Sequence, residues 1–206
     1  MPTGAARLTT PRLILRTWRE EDLEPFAQLN ADERATQYLL HRLTRAQSDA
    51  LVARISAHFE RTGFGLWAVE VPGVAPFVGA VGLVVPGFSA AFTPCVEIGW
   101  RLAPAFWGRG FASEAARAAL AFGFEKAGLE EILSFTVPAN RRSQAVMQRL
   151  GMTRSAADDF DHPLVPAGHP LLRHVLYRMS KGAWLASTAA AGDSAKTKRA
   201  ARPVFS

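Results

Sequence analysis

The chain has 206 residues, 49% of them hydrophobic and 20% charged, and this size and composition suit one well-cored globular domain. The polar N-terminal stretch and the short apolar runs argue against a signal peptide and a membrane span. A single cysteine, Cys95, excludes an internal disulfide, and we expect a cytoplasmic protein.

The net charge of +6 suggests an anionic partner. Half of this excess lies in the last fourteen residues, where four lysines and arginines face only Asp193. The rest of the chain shows no basic stripe interleaved with aromatic residues, so we predict neither a nucleic-acid partner nor a membrane partner. A small molecule that carries phosphate fits the charge better.

The first half of the chain predicts a strand, two helices and two more strands. Apolar spacing, a Thr44 cap and the Pro72-Gly73 turn place these elements at 8–16, 20–29, 44–61, 65–71 and 77–85.

The second half alternates strands and helices. Its predicted strands are 96–102, 132–137, 151–157 and 174–180, and its predicted helices are 113–127 and 141–150. The proline-rich segment 158–173 reads as a functional loop, and 187–206 reads as a disordered tail rich in alanine, lysine and arginine. This order of elements predicts a single domain of the α+β class with a mixed sheet.

One stretch, residues 94–115, combines the features of an anion-binding turn. It starts as an alternating strand, breaks at Pro104, passes through Gly108-Arg109-Gly110 and opens a helix near Ser113. The first N–H groups of a helix have no partner within it, and glycines let the backbone approach a bulky anion. The alternative is an ordinary strand–helix turn with glycines for steric reasons.

Three segments in this order resemble the GNAT N-acetyltransferase superfamily, in particular its branch of Rim-type ribosomal-protein N-terminal acetyltransferases. They are GFGLWAVE (63–70), WGRGFASEA (107–115) and VPANRRSQAVMQRLGM (137–152). The resemblance spans residues 8–182 and implies a GNAT domain of mixed α/β architecture. Its central sheet would be splayed, mostly antiparallel and flanked by about four helices, with acetyl-CoA in the cleft and no metal.

The resemblance also implies which residues bind acetyl-CoA, mostly through backbone N–H groups. A strand segment would meet the thioester and pantetheine, a turn would meet the pyrophosphate, and an asparagine would lie nearby. These residues are Trp100, Arg101 and Leu102, then Gly108, Arg109, Gly110, Phe111, Ala112 and Ser113, and finally Asn140, which is also a candidate helix cap. Trp107 departs from the glutamine or arginine that many members carry, which removes one polar contact and leaves the amides in place.

The family's reaction is direct attack of an amine on the thioester, which needs a neutral amine, a donor to the carbonyl oxygen and an acid for the thiolate. Deprotonation at pH 7 costs about 1.4 kcal/mol for an α-amine and about 4.6 kcal/mol for a lysine. A site with few polar groups therefore suits N-terminal amines. Glu97 is the candidate base, and the alternative is a structural glutamate that pairs with Arg101 on the same strand face.

The acid is less well defined by the sequence. Many members place a tyrosine seven residues after the asparagine, where this chain has Met147. Rim-like members place a serine on that helix, which makes Ser143 a candidate, with a local backbone contact as its alternative role. Tyr177 and Tyr38 are the two tyrosines that remain to substitute.

The loop at 158–173 concentrates acidic residues and histidines. A metal site is not predicted, because the spacing matches no standard ligand pattern. We expect these residues to form the wall of the acceptor site, where carboxylates would attract a cationic amine. They are Asp158, Asp159, Asp161, His162, His169 and His174.

The sequence therefore predicts an acetyl-CoA-dependent N-acetyltransferase that acts on a primary amine, with a protein or peptide N-terminus as one candidate acceptor. The alternatives are an acetyltransferase for a small amine, such as an amino acid, polyamine or antibiotic, and a non-catalytic acyl-CoA-binding module. A homodimer is compatible with the sequence. Cys95 is expected to be a packed thiol, since the direct attack needs no acyl-enzyme.

Overall fold

The computed structural model describes residues 7–200, with side chains described for residues 7–190. Within these residues five α-helices and nine strands alternate along the chain. The helices are α1 (Leu23–Ala31), α2 (Arg45–Thr62), α3 (Phe111–Glu125), α4 (Arg141–Leu150) and α5 (Lys181–Ala200). The strands are β1 (Leu8–Thr9), β2 (Ile14–Arg16), β3 (Leu66–Val71), β4 (Ala75–Val84), β5 (Glu97–Leu102), β6 (Glu131–Thr136), β7 (Thr153–Arg154), β8 (Phe160–Asp161) and β9 (Arg173–Ser180).

The strands form one mixed sheet in the order β1-β2-β3-β4-β5-β6-β9-β7, with β8 added to β9. All neighbours are antiparallel except β5 and β6, which run parallel and pair at one position, Glu97 with Leu133. Beyond that pair the two strands separate. This confirms the predicted α+β fold with a splayed, mostly antiparallel sheet, with five helices where about four were expected.

Two hydrophobic clusters cover the two faces of the sheet. On one face Trp67 and Val81 belong to a large cluster that includes Ala115 and Leu120 of α3. The neighbouring residues Ala68 and Ala80 point to the other face, where they pack with Phe26 of α1 in a smaller cluster. The alternation of the strands therefore separates an α3 face from an α1 face.

Two predicted elements differ from the structure at their turns. The segment 8–16 is a hairpin rather than one strand, because the chain turns around Pro11-Arg12 and Thr10 N–H bonds to the Leu13 carbonyl. Residues 151–157 hold only the two-residue strand β7, because Gly151 ends α4 in a left-handed conformation and a short 3₁₀ turn follows at Ala156–Asp158.

The tail prediction also differs from the structure. Residues 187–200 continue α5, while 201–206 lie outside the described residues. Trp184 anchors the start of this helix, since its ring is 3% exposed and stacks on Phe124. An alanine-rich segment has high helix propensity, so a helix that is anchored at one end extends through it. Within the described residues, no helix is long and apolar enough to cross a membrane.

Candidate active site

A cleft of about 800 Å³ opens where β5 and β6 separate. Its walls come from β5, β6, the start of α3, the exposed side of α4 and the α1–α2 loop. All of the residues predicted to bind acetyl-CoA line it except Arg109. The splay of the sheet therefore brings the three resembling segments to one place.

The main chain of β5 borders the cleft along its length. Ser134 Oγ donates to the Ile98 carbonyl at 3.0 Å, and Trp107 Nε1 donates to the Leu102 carbonyl at 2.7 Å, so these peptide groups point away from β4. The Ala103 N–H donates to the Val78 carbonyl of β4. Because the backbone groups of successive strand residues point to opposite sides, this bond fixes which residues of β5 face β4. Trp100 and Leu102 thus direct backbone N–H groups into the gap, whereas the peptide of Arg101 faces β4. The backbone of Ile98 is already bonded on the β6 side, through the Glu97–Leu133 pair and Ser134. This removes Arg101 from the predicted main-chain set.

The glycine turn and the first turn of α3 form a cradle of backbone donors. Gly108 and Gly110 have φ of 75° and 79°, a region that favours glycine, and the first helical bond runs from the Glu114 N–H to the Gly110 carbonyl. Within the described part of the chain, no acceptor is found for the N–H groups of 108–113. Six consecutive free donors at a helix N-terminus match the requirements of a pyrophosphate.

Side chains hold this cradle in place from outside. Arg12 bonds to the Arg109 carbonyl at 2.9 Å and pairs with Glu114 at 2.6 Å, and Thr10 also donates to Glu114 at 2.6 Å. Trp107 adds its bond to Leu102, so the tryptophan that departs from the family pattern ties the turn to the end of β5. The cradle is therefore anchored to both the β1–β2 hairpin and β5.

Arginines from α4 border the same end of the cleft. Arg142 lies over the Trp107 ring at 4.6 Å, and Arg149 donates to Ser113 Oγ at 3.0 Å. Both are exposed, and in the described residues neither has a carboxylate partner. The cofactor end of the cleft is therefore positively charged, a feature that the sequence pattern of α4 did not reveal.

Glu97 lies at the point where the sheet begins to separate, and it lines the cleft. No ion pair or hydrogen bond to its carboxylate is found within the described residues, so the alternative pairing with Arg101 is not formed. Burial raises the pKa of Glu97 to about 8. This pKa is close to the ordinary pKa of an α-amine, so the Glu97 carboxylate is suited to accept the proton of such an amine.

Arg101 faces the α1 side of the sheet, as does Glu97. Its guanidinium donates to Asn30 Oδ1, and Asn30 Nδ2 donates to Ser48 Oγ at 2.9 Å. Burial lowers the pKa of Arg101 to about 10. Its described partners are neutral, so it remains a positive charge beside the acceptor side of the cleft.

Asn140 organises the first turn of α4. Its Oδ1 accepts from the Ser143 N–H at 3.2 Å, which confirms the predicted helix cap, and its Nδ2 donates to Ser143 Oγ at 3.0 Å. Trp100 Nε1 also donates to Ser143 Oγ, at 3.3 Å. Two donors occupy the lone pairs of this hydroxyl, so its own proton is left to donate elsewhere. Ser143 lines the cleft, where that proton is available.

The tyrosines are in different positions. Tyr177 is 4% exposed within the large core cluster and does not line the cleft, because its position on β9 turns it to the α3 face. Tyr38 lines the cleft and donates to the Ala139 carbonyl at 3.2 Å, which joins the α1–α2 loop to the loop before α4. Met147 is 1% exposed in the core. Tyr177 is thus unsuited to the acid role.

The aspartates of the 158–173 loop do not form the predicted acidic wall. Each pairs with an arginine outside the cleft: Asp158 with Arg178, Asp159 with Arg154 and Asp161 with Arg173. His162 and His174 do line the cleft, whereas His169 does not. Within the described residues no group of three or more histidines, cysteines and carboxylates is placed to hold a metal.

Cys95 precedes β5 and is partly buried. Burial, with the Glu97 carboxylate adding to it, raises the pKa of this thiol to about 11. The thiol is therefore protonated at neutral pH, which does not favour a nucleophilic role.

Comparison with known proteins decides the family. Residues 12–153 match the family model of the acetyltransferase (GNAT) domain. The chain belongs to the GNAT acetyltransferases. It is therefore an acyltransferase that uses acetyl-CoA, as the family does.

Individual relatives agree with this family. The FsC-acetyl coenzyme A-N(2)-transacetylase of Aspergillus fumigatus is 37% identical over 98 residues, which cover 42% of this chain and 42% of that protein. The aligned region thus spans less than half the length of this relative.

Two solved structures show the same fold. RimL, a ribosomal alpha-N-protein acetyltransferase in complex with coenzyme A, superposes with a TM-score of 0.70 at 16% identity, over 86% of this chain and 99% of RimL. Spermidine N-acetyltransferase from Vibrio cholerae, with CoA and spermine, gives 0.67 at 18% identity, over 85% and 99% of the two chains.

The GNAT cleft of this chain fits acetyl-CoA. The free N–H groups of 108–113 and the arginines of α4 suit its phosphates, and the backbone of Trp100 with the N–H of Leu102 suits its amide-rich arm. The sequence did not identify Ile98, Asn30 and Phe135 as lining or supporting residues. Strand alternation could have found Ile98, which shares its side of β5 with Trp100 and Leu102, but no local signal marks the others.

Proposed function

We propose that this protein transfers the acetyl group of acetyl-CoA to the primary amine of its acceptor by direct attack, and that the acceptor is an α-type amine of the kind found at a peptide N-terminus. The observation that carries this proposal is Glu97, a carboxylate without a described partner at the fork of the sheet. Its pKa of about 8 matches an α-amine far better than a lysine.

The cofactor half of the cleft positions the donor. The N–H groups of Gly108, Gly110, Phe111, Ala112 and Ser113, with that of Arg109, would hold the pyrophosphate, and the backbone of Trp100 with the N–H of Leu102 would bind the pantetheine arm. A free N–H on this strand would also stabilise the negative charge that develops on the carbonyl oxygen. Asn140 supports this half through Ser143. Acetyl-CoA supplies the activated acetyl group.

The chemistry needs one proton removed and one group to stabilise the departing sulfur. Glu97 accepts the proton from the attacking nitrogen, directly or through a water. Ser143 donates its hydroxyl hydrogen bond to the sulfur as negative charge develops there. The Trp100 and Asn140 donors orient that hydroxyl and make it a better donor.

The fold does not decide between a protein N-terminus and a small amine, since a ribosomal-protein acetyltransferase and a spermidine acetyltransferase share it. Among the described residues that line the cleft, Glu97 has no second carboxylate beside it, which supports an acceptor amine without a second positive charge. The homodimer, the cytoplasmic location and the domain limits 8–182 stay predictions.

The test is thiol release from acetyl-CoA with and without amine, combined with mass spectrometry of the acetylated product. We expect acceptor-dependent release with a short peptide or amino acid amide, and slower release with an Nε-amine such as Nα-acetyl-lysine amide. Tight acetyl-CoA binding without release for any amine would favour a non-catalytic acyl-CoA-binding protein instead.

A further inference from the structure

Six aromatic side chains form a cluster at the acceptor end of the cleft, and three of them line it. They come from four separate segments: the loop after β4, strand β6, the segment that contains β8, and strand β9. We call this group the aromatic box; its members are Phe88, Phe92, Phe135, Phe160, His162 and His174.

The box is held together by ring contacts. Phe88 lies 4.6 Å from His162 and 5.9 Å from Phe135, measured between ring centroids. Phe160 lies 4.7 Å from Phe92, and His162 lies 4.9 Å from His174. Offset and edge contacts of this kind stabilise a rigid apolar surface.

The box and Glu97 share one face of the sheet. Glu97 pairs with Leu133, Phe135 is two residues further along the same strand, and His174 packs against Phe135 at 6.1 Å. Phe135, His162 and His174 line the cleft itself. A group bound next to the amine that Glu97 deprotonates therefore meets these rings.

All six rings keep part of their surface exposed, although aromatic clusters of this size normally lie in a core. Burial lowers the pKa of both His162 and His174, and in His174 the neighbouring His162 adds to the effect, so both imidazoles are neutral at pH 7. The exposed surface is thus mainly apolar and uncharged. Such a surface gains most when an apolar ligand group covers it.

The charges nearby argue against a polycation. Glu97 is the one carboxylate among the described residues that line the cleft, whereas Arg34 and Arg101 are positive on the same side. The aspartates of the adjacent loop are committed to arginines. A second ammonium group would thus find no counter-charge.

We propose that the acceptor is a monoamine that carries an aromatic ring close to the reacting nitrogen, and that the aromatic box selects it. This inference rests on the proposed function and specifies its substrate class. The same chemistry occurs in a small aromatic amine and in a peptide that begins with an aromatic residue.

The experiment compares kcat/KM for phenylalanine amide, alanine amide and spermidine at saturating acetyl-CoA. Because a buried phenyl ring contributes far more than a methyl group, we expect phenylalanine amide to exceed alanine amide at least about tenfold, with spermidine lowest. Equal values for the two amides, or a preference for spermidine, would overturn the inference. A peptide that begins with phenylalanine, measured beside the free amide, shows which source is used, and a preference for either supports the inference.

Two variants test the box itself. Phe135→Leu keeps an apolar side chain, and we expect the ratio of kcat/KM for phenylalanine amide to kcat/KM for alanine amide to fall about threefold or more. Leu164→Ala is the control. This apolar side chain lies on the 158–173 loop, is 65% exposed and does not line the cleft, so the ratio should stay unchanged. Thermal unfolding of both variants verifies that they are folded. A ratio unaffected by Phe135→Leu in folded protein contradicts the assignment.

Binding separates this inference from the proposed reaction. Affinities of phenylalanine amide and alanine amide for the CoA-loaded protein can be measured by calorimetry without turnover. Tighter binding of the aromatic amide with no turnover would refute the reaction and keep the inference. Turnover with equal affinities and equal kcat/KM for the two amides would support the reaction and refute the aromatic preference.

Discussion

The two halves of the cleft present different parts of the chain to their proposed ligands. The cofactor half uses backbone N–H groups from residues 108–113 and from β5, and side chains serve mainly to hold that backbone in place. The acceptor half uses side chains, with Glu97, Arg101 and the aromatic box contributed by β5, β6, β9 and two loops.

This difference leads us to expect that the cofactor half is common to the family and the acceptor half is particular to this chain. A backbone cradle requires glycine at a few positions and tolerates change elsewhere, so it serves one cofactor in many proteins. A pocket made of side chains changes its selectivity whenever one of them changes. Substitutions in the two halves should therefore have different kinetic signatures.

The largest effect is expected for Glu97→Gln in the acceptor half. Loss of the base should lower kcat/KM about 100-fold or more, with little change in acetyl-CoA affinity. An acceptor whose amine is already neutral at pH 6 does not itself titrate in the pH profile. The rise of kcat/KM near pH 8 then reports the pKa of Glu97, and it should vanish in the variant. Glu60→Gln, an exposed glutamate of α2, is the control and should leave the profile intact. A pH profile that is unchanged in Glu97→Gln would exclude this residue as the base.

The cofactor half is tested by Gly108→Ala. Gly108 has φ of 75° with open space around its Cα, so alanine adds backbone strain of about 1–2 kcal/mol and no clash. We expect the Kd for acetyl-CoA to rise about tenfold as the turn relaxes. Gly63→Ala is a matched control, with φ of 77°, the same open surroundings and a position at the end of α2. It should lower the stability by a similar amount while acetyl-CoA affinity stays unchanged, and equal losses of affinity in both would show that the strain acts globally.

A smaller effect is expected for Ser143→Ala, which lies where the two halves meet. Removal of one hydrogen bond to the leaving sulfur should lower kcat several-fold, with KM for the amine nearly constant. Ser187→Ala on α5 is the control, since that hydroxyl bonds only to the Trp184 carbonyl among the described contacts. Full kcat for Ser143→Ala at saturating amine would remove the serine from the mechanism.

The remaining effect is on stability and leaves the catalytic rate aside. The folded pKa of Glu97, about 8, lies above its ordinary value near 4.5, so the folded state favours the protonated carboxyl. Its contribution is complete below about pH 4.5 and is lost as pH rises through about 8. The Tm of the parent should therefore fall by roughly ten degrees relative to Glu97→Gln between pH 5 and pH 9. Parallel Tm curves would show that Glu97 ionises normally.

The sequence could predict the turn and the helix start of the cofactor half because their signals are local. Gly108 and Gly110, the break at Pro104 and the start of α3 lie within a few residues of each other, and Asn140 carries its own cap signal. The sequence could not show that the Arg101 peptide faces β4, since a backbone group's side depends on its pairing with that strand. The hairpin at Pro11 and the extension of α5 were missed because turn pairing and the anchoring of Trp184 on Phe124 are tertiary effects.

The acceptor half could be predicted only in its composition. The sequence showed that acidic residues and histidines gather at 158–173, but it could not show that Asp158, Asp159 and Asp161 turn to arginines outside the cleft. It could not bring Phe88 and Phe135 together either, since they lie on segments that meet only through the sheet.

The sequence by itself thus determined the family, the order of strands and helices, and the backbone cradle for acetyl-CoA, because glycine turns, caps and strand periods are encoded within short windows. Only the tertiary structure decided which carboxylate stays unpaired, which hydroxyl keeps a free proton and which rings line the cleft. Those properties depend on partners far apart in the chain, and a side chain's charge state and availability are set by what packs against it.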